Sequence, residues 1–508
     1  MQRYLGLALA ASFAGAISLR EPAGSAKVVQ HDIRRVQGQE LVARNRFRKR
    51  DTVSLSLENE QVLYLADVSI GTPPQAVRLQ IDTGSSDLWV NTPSSAYCSA
   101  SPSPCDRTYT ANDSSTYVYL NSDFDIVYLD NGTISGDYAT DTVSLGDVTI
   151  PKQEFAIGYT SDNPEGILGI GYIGNEYAAN DGKEYPNVPQ QMADLGIINT
   201  NAFSLWLNDL SASTGSILFG GVDSAKYQGS LSTFPVIQNN GAYLQFLVSM
   251  TGVGANGTEG TFSSSALKAN LDAGTSLTYL PQAIAQSVFD AVGAQYDDSV
   301  GAAYVDCSMA NNVTTLDFSF SDLTIKVDMS EMVIVAVESS SGNTCILADA
   351  SAWKTNSDIL RDIGVTIAGE PSTSNPADAI LGDTFLRSAY VVYDLTNNEI
   401  SMAPTNFNAS DSNIMEIGSS AGTSSTSSSS VASSTTSIAS STSSAVSTTS
   451  SVASSTSSAV LTGNGTFPMS TGSSNMTGIA TSTGCGSMPT ALPTGAVYCG
   501  ALGATFRV

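Results

Sequence analysis

One short motif occurs twice in this chain, 190 residues apart. The first copy is IDTGSSDLWV (81–90) and the second is LDAGTSLTYL (271–280). In each copy an apolar residue precedes Asp-X-Gly-[Ser/Thr]-Ser. A second pair of similar segments, GILGIG (166–171) and AILGD (379–383), follows the two copies in the same order. The repetition predicts two similar lobes, each of which supplies one Asp of this motif.

The intervening sequence is typical of β structure. Residues 61–405 form short runs rich in Val, Ile, Tyr, Phe and Thr, interrupted about every ten residues by Gly, Asn, Asp or Pro. Helical patterns are scarce, and the best ones cover 189–196 and 281–293. We therefore predict a mainly β protein with an N-terminal lobe over 51–235 and a C-terminal lobe over 236–405.

The charge of the chain is distributed unevenly. Residues 1–50 contain ten of the 21 Lys and Arg residues but only three of the 47 Asp and Glu residues, so the remainder is strongly acidic. Such acidity argues against nucleic acid as a partner. The sole histidine, His31, lies in the basic segment. After it no Ser-His-Asp triad, Cys-His dyad or histidine-bound zinc can form, so a hydrolase here must use carboxylates, and we expect neither metal nor cofactor.

The N-terminal segment indicates export and processing. Residues 1–18 carry an early Arg3 and an apolar run too short to cross a bilayer, which predicts a cleaved signal peptide; a buried N-terminal helix is the alternative. Residues 19–50 are interpreted as a basic propeptide that ends at the dibasic pair Lys49-Arg50, unless this is only an exposed charge run. Its cations would pair with carboxylates near neutral pH and lose those contacts in acid.

Secretion is also favoured by seven Asn-X-Ser/Thr sequons and six cysteines. The candidate glycosylation sites are Asn112, Asn131, Asn256, Asn312, Asn408, Asn464 and Asn475. The cysteines suggest three local disulfides, namely Cys98 with Cys105, Cys307 with Cys345, and Cys485 with Cys499.

The C-terminal segment changes in composition. Residues 406–484 are predicted to form a glycosylated Ser/Thr-rich stalk, because residues 419–458 are uncharged and cannot build a packed core. Residues 485–508 are small and mildly apolar, and two alternatives stay open for them: a GPI signal, or a retained tail, since prolines and Arg507 interrupt the pattern. We expect a secreted, cell-surface monomer that touches a membrane or wall only through this tail.

The two Asp motifs make chemical sense as one site. Glycines allow each loop to turn tightly so that the two carboxylates approach, and the following hydroxyls can donate hydrogen bonds to them. The residues assigned to this site are Asp82, Gly84, Ser85, Asp272, Gly274 and Thr275. Two unit charges about 3 Å apart at a dielectric near 20 repel by roughly 5 kcal/mol, or about four pKa units, so the pair must share a proton. One carboxylate can then act as a base while the other acts as an acid.

The chain resembles the pepsin-type aspartic endopeptidases, and among them the fungal yapsin-like and candidapepsin-like enzymes. The resemblance spans residues 61–405 and rests on the two Asp motifs together with VSIGTPPQ (68–75), SILFGGVDSAKYQGSL (216–231) and ILGDTFLRSAYVVYDL (380–395). It implies a bilobal β fold with a cleft, protein and peptide substrates, one catalytic Asp from each lobe, and a hairpin flap. Segments 167–169 and 380–382 then match the strands that cross beside the catalytic loops.

The resemblance also assigns residues around the cleft. Tyr128 matches the flap tyrosine and Trp89 its hydrogen-bond partner, whereas Leu129 departs from the glycine that often follows the tyrosine. Asp130 and Glu165 lie where an acidic subsite wall would favour basic residues at the cleavage site, as in yapsin-like enzymes. The alternatives are ordinary strand aromatics and solvated surface carboxylates.

Ala273 replaces a threonine that in this family bonds across the lobe junction, so only the Thr83 half of that contact is expected. The expected effect is a moderate loosening, because one neutral hydrogen bond contributes about 0.5–1.5 kcal/mol. Ala273 and Leu129 leave open a catalytically weak or inactive bilobal wall protein as the alternative function. A carbohydrase with two carboxylates is a further alternative, against which the duplicated glycine loops argue.

Overall fold

A computed structural model of the chain describes residues 17–22, 26–37 and 62–418, apart from 102, 106, 129–131, 162, 213, 298–301, 338–342, 348 and 354–377. Several predicted features lie outside the described residues: most of the signal peptide, the Lys49-Arg50 site, Leu129, Asp130, Asn131, Asn464, Asn475, Cys485 and Cys499. The GPI alternative and nearly all of the stalk lie outside them as well.

The strands up to residue 235 are β1 (Leu19–Arg20), β2 (Val29–Gln37), β3 (Val62–Ile70), β4 (Gln75–Asp82), β5 (Leu88–Asn91), β6 (Val118–Val127), β7 (Thr133–Leu145), β8 (Val148–Thr160), β9 (Gly166–Gly169), β10 (Ala202–Trp206), β11 (Thr214–Phe219), β12 (Gly221–Asp223) and β13 (Ser232–Pro235).

The later strands are β14 (Leu247–Met250), β15 (Gly252–Ala255), β16 (Thr258–Ser263), β17 (Leu267–Leu271), β18 (Thr278–Pro281), β19 (Gln295–Asp297), β20 (Ala302–Val305), β21 (Thr315–Phe320), β22 (Leu323–Asp328), β23 (Val333–Val337), β24 (Thr344–Leu347), β25 (Asp349–Trp353), β26 (Ala379–Leu381), β27 (Ala389–Asp394), β28 (Glu399–Pro404) and β29 (Ile414–Ile417).

Helices are few and short. They are α1 (Val188–Asp194), α2 (Gln282–Val292), α3 (Met329–Met332) and α4 (Asp383–Leu386), with 3-10 turns at Ala111–Asp113, Ile173–Asn175, Tyr177–Asp181 and Cys307–Asn311. Both helices predicted from the sequence are present as α1 and α2. Asn187 caps α1 by accepting a hydrogen bond from the Gln190 N–H, and α2 ends at Gly293, whose φ of 73° requires a residue tolerant of left-handed backbone. None of the described helices is long and apolar enough to span a membrane.

One large sheet joins the two halves of the chain. Its 13 strands run in the order β13-β28-β27-β10-β11-β2-β3-β4-β9-β5-β8-β7-β6. Strands β27 and β28, from the predicted C-terminal lobe, therefore pair directly with β10 and β13 of the N-terminal lobe. The rest of the C-terminal lobe forms three smaller sheets, among them β14-β17-β26-β18-β25, which carries the second Asp motif.

The pattern of buried and exposed residues in a strand depends on whether one or both of its faces are covered. In β22 (LTIKVD) buried and more exposed residues alternate, as expected when one face packs on the core. In β27 (AYVVYD) every residue is buried, because the strand is covered on both faces. Strand β27 therefore reads as an almost continuous apolar run.

Two regions of the fold were not foreseen. Strand β2, within the predicted propeptide, lies between β11 and β3 in the large sheet. The folded chain also continues past residue 405, where we placed the start of the stalk, because β29 pairs with β12 and β1. Ile417 is buried there, so packed structure extends into the segment that we assigned to the stalk.

Two of the three predicted disulfides are confirmed. Cys98 bonds Cys105 and Cys307 bonds Cys345, each with Cα atoms 5.2 Å apart. Each lobe thus contains one local bridge.

Candidate active site

Asp82 is the last residue of β4. This strand runs parallel to β9, with Asp82 opposite Gly169, and the Ile170 N–H donates to the Asp82 carbonyl at 2.9 Å. Strand β5 lies on the other side of β9 and runs antiparallel to it. The loop that follows Asp82 leads from β4 to β5, and both strands are paired with the buried strand β9 between them. Its two ends are therefore fixed.

Asp272 occupies the equivalent place in the second lobe. It follows β17, which runs parallel to β26 with Leu271 opposite Leu381, and the Asp272 N–H donates to the Leu381 carbonyl at 3.1 Å. Strand β18 lies antiparallel to β26. The segments 167–169 and 380–382, assigned to crossing strands by resemblance, thus lie beside the two Asp loops.

The glycine in each loop faces the carboxylate of the other loop. A Cβ atom on Gly84 would lie 2.6 Å from the Asp272 carboxyl, and one on Gly274 would lie 2.2 Å from Asp82 Oδ1. Both distances are far below van der Waals contact. The glycines are therefore required because they let the two loops approach closely enough to bring the carboxylates together.

Each carboxylate accepts hydrogen bonds from its own loop. Asp82 Oδ1 accepts from the N–H of Gly84 at 2.7 Å and of Ser85 at 3.2 Å, and Ser85 Oγ donates to Asp82 Oδ2. Asp272 Oδ1 accepts from the Gly274 N–H at 2.8 Å, and Thr275 Oγ1 donates to Asp272 Oδ2 at 2.8 Å. All six residues assigned to the site from the sequence are thus brought together.

The environment favours protonated forms of both carboxyls. Burial, together with the charge of Asp272, raises the pKa of Asp82 to about 7. Burial also raises the pKa of Asp272, although hydrogen bonds from Thr275 and Gly274 act in the opposite direction. Because the two carboxyls are hydrogen-bonded to each other, they titrate as a pair and can hold one proton between them.

The Thr83 contact across the lobe junction is present on one side only. The Ala273 N–H donates to Thr83 Oγ1 at 2.8 Å, and that hydroxyl donates to the Leu271 carbonyl at 2.9 Å. Ala273 is buried and has no hydroxyl to return the contact.

Two amide side chains that sequence reasoning missed also hold the loops. Gln80 Nε2 donates to the Gly274 carbonyl at 2.8 Å, and Asn175 Nδ2 donates to the Gly84 carbonyl at 3.1 Å. Gln80 is buried near the end of β4. The available signal was an amide next to the apolar residue that precedes Asp82, but its partner lies 194 residues away.

A hydrogen-bonded series connects the hairpin of β6 and β7 to Asp82. Trp89 Nε1 donates to the Tyr128 hydroxyl at 2.9 Å, as the resemblance implied. The Tyr128 hydroxyl also shares a hydrogen bond with Ser85, which in turn donates to Asp82. Beyond Tyr128 the hairpin returns at Gly132, whose carbonyl accepts from the Tyr128 N–H at 2.9 Å.

Comparison with known proteins agrees with this geometry. The sequence model of the eukaryotic aspartyl protease family matches residues 63–405. The chain belongs to the eukaryotic aspartyl protease family. It is 45% identical over 403 residues to the probable aspartic-type endopeptidase OPSB of Trichophyton verrucosum, covering 77% of this chain and 79% of that one.

More distant aspartyl proteases extend the comparison. Secreted aspartic protease 8 of Candida albicans is 38% identical over 372 residues, which cover 72% of this chain and 81% of that protein. The crystal structure of the aspartic proteinase from Irpex lacteus superimposes with a TM-score of 0.57 at 22% identity, covering 76% of this chain and 100% of that one. The chain is thus an aspartic-type endopeptidase with the bilobal, mainly β fold predicted from its sequence.

The residues assigned to the substrate subsites in this aspartyl protease are only partly described. Glu165 directly precedes β9 and is 3% exposed, so it is not a solvated surface carboxylate. Asp130 lies outside the described residues.

A further buried carboxyl lies close to the Asp82–Asp272 pair. Asp383, at the start of α4, is 1% exposed, and burial raises its pKa well above the ordinary value even though the charge of Arg387 opposes that shift. Asp383 lies within the segment 380–395 that carries the family resemblance, but the sequence alone assigned it no role.

Proposed function

We propose that Asp82 and Asp272 hydrolyse peptide bonds with a water molecule held between them. The ionised carboxylate of the pair removes a proton from the water as its oxygen attacks the peptide carbonyl carbon. The protonated carboxyl donates its proton to the carbonyl oxygen, so the tetrahedral intermediate carries no full negative charge. Collapse of that intermediate breaks the C–N bond. The leaving nitrogen takes the proton that the first carboxyl removed from the water, and a hydroxyl of the intermediate returns its proton to the second carboxyl, so the pair again holds one proton. Aspartic proteases are the standard case of such a shared proton.

The close approach of the two loops carries this proposal. At Gly84 and at Gly274 the carboxylate of the opposite loop occupies the space that a Cβ atom would need. The experiment is an acid-pH peptidase assay of the secreted protein with and without a pepstatin-type inhibitor. We expect activity that the inhibitor removes. An active-site titration that detects no inhibitor binding in properly folded protein would instead favour the inactive wall-protein alternative.

We propose that the enzyme works in acid. Activity requires one protonated and one ionised carboxyl, and it should fall as the pH rises through the upper pKa of the pair, which burial places near 7 for Asp82. The measurement is kcat/KM for one peptide from pH 2 to pH 8. A profile still rising between pH 7 and pH 8 would contradict the shared-proton site.

We propose a preference for basic residues at the cleavage site. Supporting it are the position of Glu165 directly before β9, the strand beside Asp82, and the strongly acidic composition after residue 50. Asp130 is proposed as a second acidic group of the same subsite wall.

Matched peptides that differ only in Lys, Arg, Leu or Phe before the scissile bond test the preference. We expect higher kcat/KM for Lys and Arg, and a smaller advantage in Glu165→Gln. Turnover of the Leu and Phe peptides that equals or exceeds that of the basic ones would refute the preference without affecting the catalytic proposal.

We propose that residues 19–50 act as a propeptide that is released in acid after cleavage at Lys49-Arg50. Arg34 of β2 contacts Asp67 of β3 at 2.7 Å. Burial alone would raise the pKa of Asp67, but Arg34, Arg107 and Arg78 hold it below its ordinary value. Only Arg34 lies in the proposed propeptide. Because the folded-state pKa of Asp67 is lowered, the stabilisation from the Arg34–Asp67 pair is present above the unfolded pKa and is lost as the pH falls. A 1–50 peptide that inhibits the mature enzyme equally at acidic and neutral pH would contradict this role.

We propose that the enzyme is a secreted, glycosylated monomer. The four sequon asparagines within the described residues are all exposed, namely Asn112, Asn256, Asn312 and Asn408. The remaining three, Asn131, Asn464 and Asn475, are proposed from the sequence alone, as is the tail as either a GPI signal or a retained segment. Glycosidase treatment, light scattering, and lipase release from the cell surface distinguish these features one by one.

A further inference from the structure

The residue two positions before each catalytic Asp carries an amide, but only one of the two amides reaches the other lobe. Gln80 precedes Asp82, and its Nε2 donates to the Gly274 carbonyl at 2.8 Å. Asn270 precedes Asp272 in the same way, yet its buried side-chain oxygen makes no hydrogen bond to any described residue. Its side chain is one methylene shorter than that of Gln80.

The same one-sidedness appears one residue after each Asp. Thr83 contacts the backbone of the opposite loop at Leu271 and Ala273, whereas Ala273 has no hydroxyl to contact the first loop. Among the described residues, the two uncharged side chains that hydrogen-bond across the junction of the Asp loops, Thr83 and Gln80, therefore both belong to the first lobe.

We propose that Gln80 is a positioning residue that supplies the second contact across the junction, which Ala273 cannot make. It acts on the second catalytic loop through the backbone of Gly274 and touches neither substrate nor the reacting atoms.

Gly274 is the residue through which a hydrogen bond from Gln80 can affect the orientation of Asp272. Its N–H donates to Asp272 Oδ1 at 2.8 Å, and its Cα lies so close to Asp82 that a Cβ would collide with the carboxylate. Glycine has a wide range of accessible backbone dihedrals, so its two flanking peptide groups are easily rotated. A donor that fixes the Gly274 carbonyl therefore also restrains the N–H that orients Asp272.

The inference rests on the two-carboxylate mechanism proposed above, and Gln80→Met is its main test. Met has a similar length and volume but cannot donate. We expect kcat to fall about three- to tenfold, corresponding to the loss of one net hydrogen bond, while KM changes less than twofold. We also expect the acidic limb of the pH profile to move to higher pH, because a poorly aligned Gly274 N–H stabilises the Asp272 carboxylate less.

A double-mutant cycle separates positioning from packing. If Gln80 substitutes for the missing threonine, Ala273→Thr should restore part of the kcat that Gln80→Met loses and return the acidic limb toward its original pH. If Gln80 only fills space, the effects of the two substitutions should add independently. Gln80→Asn provides a second variant, since it keeps the amide but lacks the length to reach Gly274.

Wild-type kcat and an unchanged pH profile in Gln80→Met would overturn the proposal, as would a loss that Ala273→Thr does not reduce. If Gln80→Met folds poorly and Ala273→Thr corrects the folding, the junction role is supported. If Ala273→Thr does not correct the folding and Gln80→Asn has normal kinetics, the junction role is refuted. Asp272→Asn is assayed in parallel. If that variant remained active, the mechanism itself would be wrong, and this outcome is distinct from a failure of the Gln80 proposal.

Discussion

The two Asp loops are alike in the hydrogen bonds that they donate to their own carboxylates and unlike in how they are held across the lobe junction. In each loop a glycine N–H and a side-chain hydroxyl donate to the two oxygens of the Asp. Apart from the carboxyls themselves, the side chains of the described residues that hydrogen-bond across the junction of the two loops are Thr83 and Gln80, both of the first lobe. Sharing one proton requires two carboxyls in similar surroundings, and this requirement makes the two loops alike. The lobe junction can be held by side chains from either lobe, so its contacts need not be symmetric.

Replacing either Asp gives the largest expected effect and tests the equivalence directly. Asp82→Asn and Asp272→Asn should each lower kcat by at least about 10³-fold, because one partner of the acid–base pair is lost in both. The measurement is single-turnover peptide cleavage at the pH optimum.

Asp123→Asn, at an exposed carboxylate that contacts Lys183, serves as the matched control and should keep full activity. If only one of the two catalytic variants lost activity, the loops would not share a single site.

Adding a methyl group to each glycine tests the close approach. Gly84→Ala and Gly274→Ala should each lower kcat about 100-fold, since a displacement of about 1 Å of a reacting group has consequences of that order. The shorter distance, 2.2 Å against 2.6 Å, predicts the larger loss for Gly274→Ala. Steady-state kinetics would contradict the geometry if both variants kept more than half of the parent activity while folding normally.

The loops also differ in their seventh motif residue, and this difference predicts a pH effect on stability. Asp87 lies in the first copy where the second has Leu277. Asp87 is fully buried and accepts hydrogen bonds from the Tyr185 hydroxyl at 2.8 Å, the Tyr177 N–H at 2.8 Å and the Tyr138 hydroxyl at 3.1 Å. Burial raises the pKa of Asp87, and these hydrogen bonds only partly oppose the shift.

Because the folded-state pKa of Asp87 is raised, its stabilising effect is complete in acid and is lost as the pH rises through that pKa. Asp87→Asn should therefore reduce the fall in Tm between pH 4 and pH 7.5 by roughly 2–4 °C. Thermal unfolding at the two pH values provides the measurement. An undiminished fall would show that the destabilisation comes from other buried carboxyls, such as Glu176, whose pKa burial raises to about 10.

Restoring the missing threonine gives the smallest effect. Ala273→Thr should raise the free energy of unfolding at acidic pH by about 0.5–1.5 kcal/mol, since it adds one neutral hydrogen bond at a buried junction. The ranking of peptide substrates should not change. Denaturant unfolding at pH 4 that finds the variant less stable than the parent would show that the site has no space for the added hydroxyl.

Local sequence was sufficient to predict the parts of the molecule that act within a few residues. The Asp-X-Gly-[Ser/Thr] spacing identified both carboxylates and their hydroxyl donors, and cysteines seven and 38 residues apart identified two disulfides. In these cases the chemistry of the pattern itself restricts the geometry.

Contacts between distant segments were not predictable in the same way. Gln80 looks like any amide on a strand until β4 and the second Asp loop are brought together by the fold. Strand β2 was interpreted as part of a basic propeptide and not as a strand of the sheet, because its charged residues Arg34 and Arg35 obscure the alternation that places Ile33 in the core. The pairing partner of a strand is set by topology, which a single sequence does not encode locally.

Strand β29 has a mechanical consequence. Its contacts with β1 and Ser18 would be lost with the proposed signal peptide and propeptide. What remains is its pairing with β12, outside the large sheet that carries Asp82, where the Ile417 N–H donates to the Gly220 carbonyl at 3.0 Å. Tension applied to the chain beyond residue 418 would first load these backbone hydrogen bonds. The pairing of β29 with β12 therefore comes first along the chain from the C-terminal side, so a pull on that segment meets it before it meets β26 beside the Asp272 loop.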